Sequence, residues 1–102
     1  MKFAAIALGC LAAFVSMQAA AGDDTNRTIA TVGAQATGYV QFKEGLSQPC
    51  IFGTVYLPDM SQPASKAMFA VLLAAQARSG TVSASYNMDA SGYCTATKIS
   101  SP

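Results

Sequence analysis

The sequence predicts a mainly β (α+β) domain with five short strands and one helix, in the order β-β-β-α-β-β. Three observations carry that expectation. Residues 27–57 and 81–100 hold runs of β-branched and aromatic residues, broken by Gly, Pro and Asn. Between them Met68, Phe69, Val71, Leu72, Leu73 and Ala75 recur at helical spacing. The chain has 102 residues and no internal repeat, which allows one small domain.

Each element has its own signal. Gly22 to Asn26 is polar and reads as a loose lead-in. Arg27 to Val32 is β-branched and roughly alternating, a first strand that Gly33 ends. Thr37 to Lys43 is the second strand, with Val40 and Phe42 on one side and Tyr39 and Gln41 on the other, so both faces are expected to be partly covered. Glu44-Gly45 and Ser47-Gln48-Pro49 read as turn and loop. Cys50 to Leu57 is the strongest strand signal, and Gly53 inside it suggests a bulge or sharp bend.

The period then changes. A helix is expected over about 64–79, its inner stripe Met68, Leu72 and Ala75 broadened by Phe69 and Leu73. Lys66, Gln76 and Arg78 mark its polar side. Ser61 or Ser65 suits the N-cap, Pro63 the opening turn, and Gly80 the left-handed residue after the last turn. Thr81 to Tyr86 alternates cleanly, with Val82, Ala84 and Tyr86 facing one way. Residues 87–92 form a turn-rich connection to a last strand, Tyr93 to Ser100, in which Ile99 is expected on the face opposite Cys94 and Ala96. This order is that of the OB-fold, a small five-strand antiparallel Greek-key barrel. An open, curled sheet with the helix across one face has the same order and remains the alternative.

The first 21 residues read as an address. Met1-Lys2 is a short positive start, and Phe3 to Val15 is an apolar run too short to span a bilayer. Ala19 and Ala21 supply small residues for a signal-peptide cut after Ala21. Cys10 would leave with this segment. Its context faintly resembles a lipoprotein box, but the preceding apolar run is very short and Ala7 stands where Leu is usual. The mature chain, residues 22–102, would then be a single domain of 81 residues, secreted or periplasmic, with no membrane anchor. Cys50 and Cys94 remain, and an oxidising compartment makes them one disulfide. Asn26-Arg27-Thr28 matches the N-glycosylation sequon, which matters only in a eukaryotic source.

Charge and missing residue types narrow the function. Arg27, Lys43, Lys66, Arg78 and Lys98 balance Asp23, Asp24, Glu44, Asp59 and Asp89, so the mature chain is neutral, without the clustered cations that nucleic acid or an anionic membrane surface requires. The chain contains no His, which removes the commonest general base and every His-ligated metal site. Glu44, Asp59 and Asp89 stand in apparent turns. Ser65 and Lys66 are helix neighbours that point apart. The expectation is a protein that is not an enzyme and needs neither cofactor nor metal.

The passage Met68 to Val82, flanked by Cys50 upstream and Gly92-Tyr93-Cys94 downstream, resembles the helix-then-Gly-x-Val layout of small secreted bacterial proteins. The same layout is similar to B subunits of AB5 toxins of the pertussis/subtilase type, although this chain is short and lacks Trp. The resemblance implies a secreted or periplasmic OB-type barrel, and for a true toxin subunit a pentamer that binds glycans. From the residues themselves, a binding module is expected, its partner an unknown protein or glycan. Tyr39, Tyr56 and Tyr93 are the candidate ligand contacts, because tyrosine joins an apolar ring to a hydrogen-bonding tip. Tyr86, Gln41, Gln48 and Asn87 belong to the same polar, uncharged surface. The alternative is a structural or interaction protein acting through strand edges or homo-oligomer contacts.

Overall fold

The computed structural model describes residues 20–102. Residues 1–19, which hold Cys10, Ala19 and most of the expected signal peptide, lie outside the described residues. The strands are β1 (Ala20–Ala34), β2 (Gly38–Phe42), β3 (Thr54–Tyr56), β4 (Thr81–Met88) and β5 (Cys94–Ser100), and one helix, α1 (Pro63–Ala77), joins β3 to β4. They close into a barrel in the order β1-β2-β3-β5-β4. The result is a small, mainly β, five-strand barrel of the OB type.

Closure depends on β1. The first strand starts seven residues before the expected Arg27, because Ala20 to Asp24 pair with β4 rather than forming a loose lead-in. One extra residue bulges between Asp24 and Arg27, where Asn26 has φ 53°. A second irregularity follows between Ile29 and Thr31, and beyond it β1 pairs with β2. Two bulges coil one long strand enough to serve both neighbours. Periodicity could not reveal this, since the first half of β1 alternates buried Gly22 and Asp24 with exposed Ala21 and Asp23, a pattern with no hydrophobic residue on its inner face.

The third strand is shorter than expected. Cys50 to Gly53 does not extend: Ile51–Gly53 form a 3-10 turn in which Phe52 and Gly53 both have left-handed φ, 59° and 60°. Its β-branched and aromatic composition mimicked a strand; the marker Gly53 belonged to a turn. β3 also pairs with β5 in parallel, Val55 opposite Cys94 and Tyr56 opposite Thr95, so one pairing departs from the all-antiparallel expectation. That parallel contact closes the ring.

The remaining corrections are local. β5 carries an extra residue at Thr97, between Ser85↔Lys98 and Tyr86↔Ala96, which turns Ile99 to the same inner face as Cys94 and Ala96. The helix is capped by Gln62 without a side-chain bond, with Pro63 opening its first turn. Ser65 is instead buried, and its hydroxyl donates to Pro58 O at 2.7 Å. At the other end Ser79, not Gly80, takes the left-handed conformation at φ 55°. Met68, Leu72 and Ala75 join Val40, Val55, Leu57, Val82, Ala84 and Tyr86 in the core, as their spacing predicts.

Cys50 and Cys94 form the expected disulfide, with Cα atoms 5.6 Å apart. It lies where the 3-10 turn meets the start of β5, and Ile51 N donates to Gly92 O at 2.8 Å beside it.

Candidate ligand-binding face

Register places four aromatic or polar positions and one glycine in one outward row. Asn87 pairs with Thr95, Thr95 with Tyr56, Tyr56 with Tyr39, and Tyr39 with Gly33. Because strand side chains alternate, all of these leave the core on the same side. The Tyr39 and Tyr56 rings are 6.5 Å apart, and the Tyr56 and Tyr93 rings 5.9 Å apart, both tilted. The three candidate tyrosines are therefore brought together. Tyr93 is the most open of them, 43% exposed.

A shallow groove of about 230 Å³ lies on this face, lined by Gln35, Tyr39, Gln41, Phe52, Thr54 and Tyr56. It is smaller than the about 300–1,000 Å³ of sites for drug-sized ligands, so it suits a single ring. No lining residue is charged. Gln35 comes from the β1–β2 connection, and Tyr93 from the β4–β5 connection, the loops that flank the strand 2–3 face of an OB barrel.

The groove floor is held by its own hydrogen bonds. Gln41 Nε2 donates to Thr54 Oγ1 at 2.9 Å and to Phe52 O at 3.4 Å, and Thr54 Oγ1 donates to Phe52 O at 3.1 Å. Tyr39 leans across β1, where Gly33 leaves the room: a Cβ there would come within 2.5 Å of the Tyr39 hydroxyl. Asp89 arranges the Tyr93 loop, its Oδ1 accepting from Ser91 N at 2.9 Å and Tyr93 N at 3.0 Å.

Other residues of the expected surface fall elsewhere. Tyr86 is buried, 1% exposed, and points into the barrel. Gln48 lies near it, its N–H donating to the Tyr86 hydroxyl at 3.4 Å. Asn87 is exposed on β4, on the row but outside the groove. Phe52, Gln35 and Thr54 were not expected. Phe52 was hidden by its place in the expected strand Cys50 to Leu57, and Gln35 by its place in a short loop.

The acidic candidates stabilise local backbone. Glu44 accepts from Thr28 N at 2.7 Å and Thr28 Oγ1 at 2.6 Å, and the Thr28 hydroxyl, then its N–H, hold the Glu44 carboxyl below the usual range. Asp59 accepts from Ser61 N at 3.0 Å ahead of α1. Among the described residues, no three His, Cys, Asp or Glu side chains gather in a way that could hold a metal ion.

Asp24, in the segment expected to be a loose lead-in, is the one buried carboxylate among the described residues. It is 2% exposed and sits between β1, β4 and the loop after β2. Burial pushes its pKa up. Hydrogen bonding by Ser47, the Tyr86 hydroxyl and Arg27 outweighs that, so the net position is below the ordinary aspartate value. Burial, then the neighbouring carboxylate, pushes the Tyr86 phenol up.

No helix among the described residues is long and apolar enough to cross a membrane. No family model matches the chain, and no curated protein or solved structure matches it.

Proposed function

We propose that this chain is a small, non-catalytic binding module, secreted or periplasmic, whose β2–β3 face takes one ring of an uncharged glycan. The observation that carries the reading is the uncharged groove lined by Tyr39, Tyr56 and the side chains of Gln35 and Gln41. Aromatic rings offer a surface for the apolar face of a sugar; the Gln35 amide offers a donor and an acceptor to its hydroxyls, and Gln41, whose Nε2 already donates to Thr54 and Phe52, offers its carbonyl oxygen. The placement supports it too, since OB barrels bind oligosaccharides and oligonucleotides on this face. Without cations in the lining, oligonucleotides are the poorer fit. The disulfide fits an oxidising compartment. The resemblance to toxin B subunits belongs to the same reading, as does a homo-oligomer.

The experiment is a heteronuclear NMR titration with neutral gluco- and galacto-oligosaccharides, a proline-rich peptide and a short single-stranded oligonucleotide. Saturable shifts at Tyr39, Gln41 and Tyr56 with one sugar series, lost in Tyr56→Ala, support the proposal. Shifts there with the peptide or oligonucleotide alone, or with nothing, overturn it.

A second reading has one observation in its favour. Beyond Thr95, β5 makes no pairing to β3 among the described residues, which leaves a strand edge. If that edge recruits a second copy, the elution volume in size-exclusion chromatography shifts with concentration; a constant monomer rules it out.

A further inference from the structure

Phe52 is a poor residue for its place in the fold. Its φ of 59° and ψ of 13° lie in the left-handed region, which bulky side chains seldom enter. Its ring is 72% exposed, so burial does not offset the conformation. The turn itself does not ask for phenylalanine: Gly53, the next residue, also has left-handed φ, and glycine at 52 would make the same turn without strain.

The surroundings nevertheless hold it there. The Phe52 carbonyl accepts from both Gln41 Nε2 and Thr54 Oγ1, the groove-floor residues. Gly53 N donates to Cys50 O at 3.0 Å, Ile51 N donates to Gly92 O, and the Cys50–Cys94 bond ties the turn covalently to the loop that carries Tyr93. Strain maintained by this many contacts, on an aromatic at the rim of a groove, is the arrangement expected of a ligand contact.

We infer that Phe52 is a specificity-determining wall of the β2–β3 face, preset by the disulfide and the Gln41–Thr54 pair, against which the apolar face of a neutral sugar ring packs. The inference rests on the glycan reading above and adds a wall to the groove that it describes. A flexible glycine in this place loses both the ring and the preset geometry.

The test compares the wild type with Phe52→Gly, Phe52→Tyr and Leu73→Ala, using the same neutral oligosaccharide series as probes. Leu73 is an exposed apolar residue on α1, away from the groove. The expected result is an affinity loss of about tenfold or more in Phe52→Gly, with binding kept in Phe52→Tyr and in Leu73→Ala. The melting temperature of Phe52→Gly does not fall, because positive φ suits glycine. Unchanged affinity in Phe52→Gly overturns the role of Phe52 while the face stands. A lower melting temperature also overturns it, since the ring would then serve the fold. If the wild type binds none of the sugars, the glycan reading itself has failed and this inference fails with it.

Discussion

The Tyr86 hydroxyl donates to Asp24 Oδ2 at 2.6 Å across the barrel wall, a buried bond between residues 62 positions apart. It joins the first half of β1 to β4 at the point where β1 has no hydrophobic side chain to offer. Ser47 N donates to the same oxygen at 3.1 Å, so the loop after β2 is fastened there as well. A polar group in this position is tolerated because it is fully engaged. Hydrogen bonds to a charged acceptor contribute about 1.5–3 kcal/mol each, and losing one buried partner costs the desolvation of the other.

Acid stability follows from that bond. The folded-state pKa of Asp24 is depressed, so its contribution is present above the unfolded value and is lost as pH falls through the folded one. Wild-type melting temperature is expected to drop as the pH falls from the ordinary aspartate range into more acid solution. Asp24→Asn should be less stable near neutral pH by about 1.5–3 kcal/mol and show a flatter acid profile. Glu44, also depressed, supplies the slope that remains. An unchanged profile in Asp24→Asn would show that the carboxylate does not carry the acid dependence.

The disulfide is the second support. It closes a loop with a sequence separation of 44, and loop-closure entropy alone makes it worth roughly 4 kcal/mol. The double variant Cys50→Ala with Cys94→Ala should melt at least about 15 °C lower, measured by circular dichroism. A drop of only a few degrees would mean that the core, led by Val40, Val55 and Leu72, suffices without it.

What was legible in the sequence follows the physics of each segment. β4 and α1 were readable because one clean period decides each: Val82, Ala84 and Tyr86 at period two, and Met68, Leu72 and Ala75 at helical spacing. The start of β1 was not, because its inner residues are Gly22 and Asp24, whose burial depends on Tyr86, 62 positions away from Asp24. The bulge at Thr97 and the turn at Phe52–Gly53 were equally hidden, since both are set by tertiary closure rather than local preference. On the candidate face, the choice of Tyr39, Tyr56 and Tyr93 came from residue chemistry and the fold brings their rings together, whereas Phe52 and Gln35 needed the folded geometry.

Gly22 and Gly33 face parallel situations with different outcomes. Both lie in β1 opposite a tyrosine, Tyr86 and Tyr39 respectively, and a Cβ at either would run into that ring. Tyr86 is buried and bonded to Asp24, so it has nowhere to go. Tyr39 is only partly covered and can swing outward. Gly22→Ala should therefore destabilise by about 1–3 kcal/mol, and Gly33→Ala by less than about 1 kcal/mol while displacing Tyr39. Urea midpoints measure the first difference, and loss of sugar-induced shifts at Tyr39 the second. Equal costs would contradict the distinction drawn from the two rings.

Ser79 offers a change in the opposite direction. α1 ends in a Schellman motif: Gly80 N donates to Ala75 O at 2.9 Å and Ser79 N to Gln76 O at 3.2 Å. In that motif the residue after the cap is left-handed, and here it is Ser79 at φ 55° while the glycine stands one place later. Serine bears the strain of this conformation and glycine does not. Ser79→Gly should raise stability by about 0.5–1 kcal/mol, a rise of roughly 3–6 °C in melting temperature for a domain of this size. Gly80→Ala is the control. Its Cβ would meet only the flexible end of Arg78, with Nε 2.9 Å away, so the side chain moves aside and no gain appears. If Ser79→Gly melts lower than the wild type, the left-handed turn at Ser79 is not the conformation that ends the helix in solution.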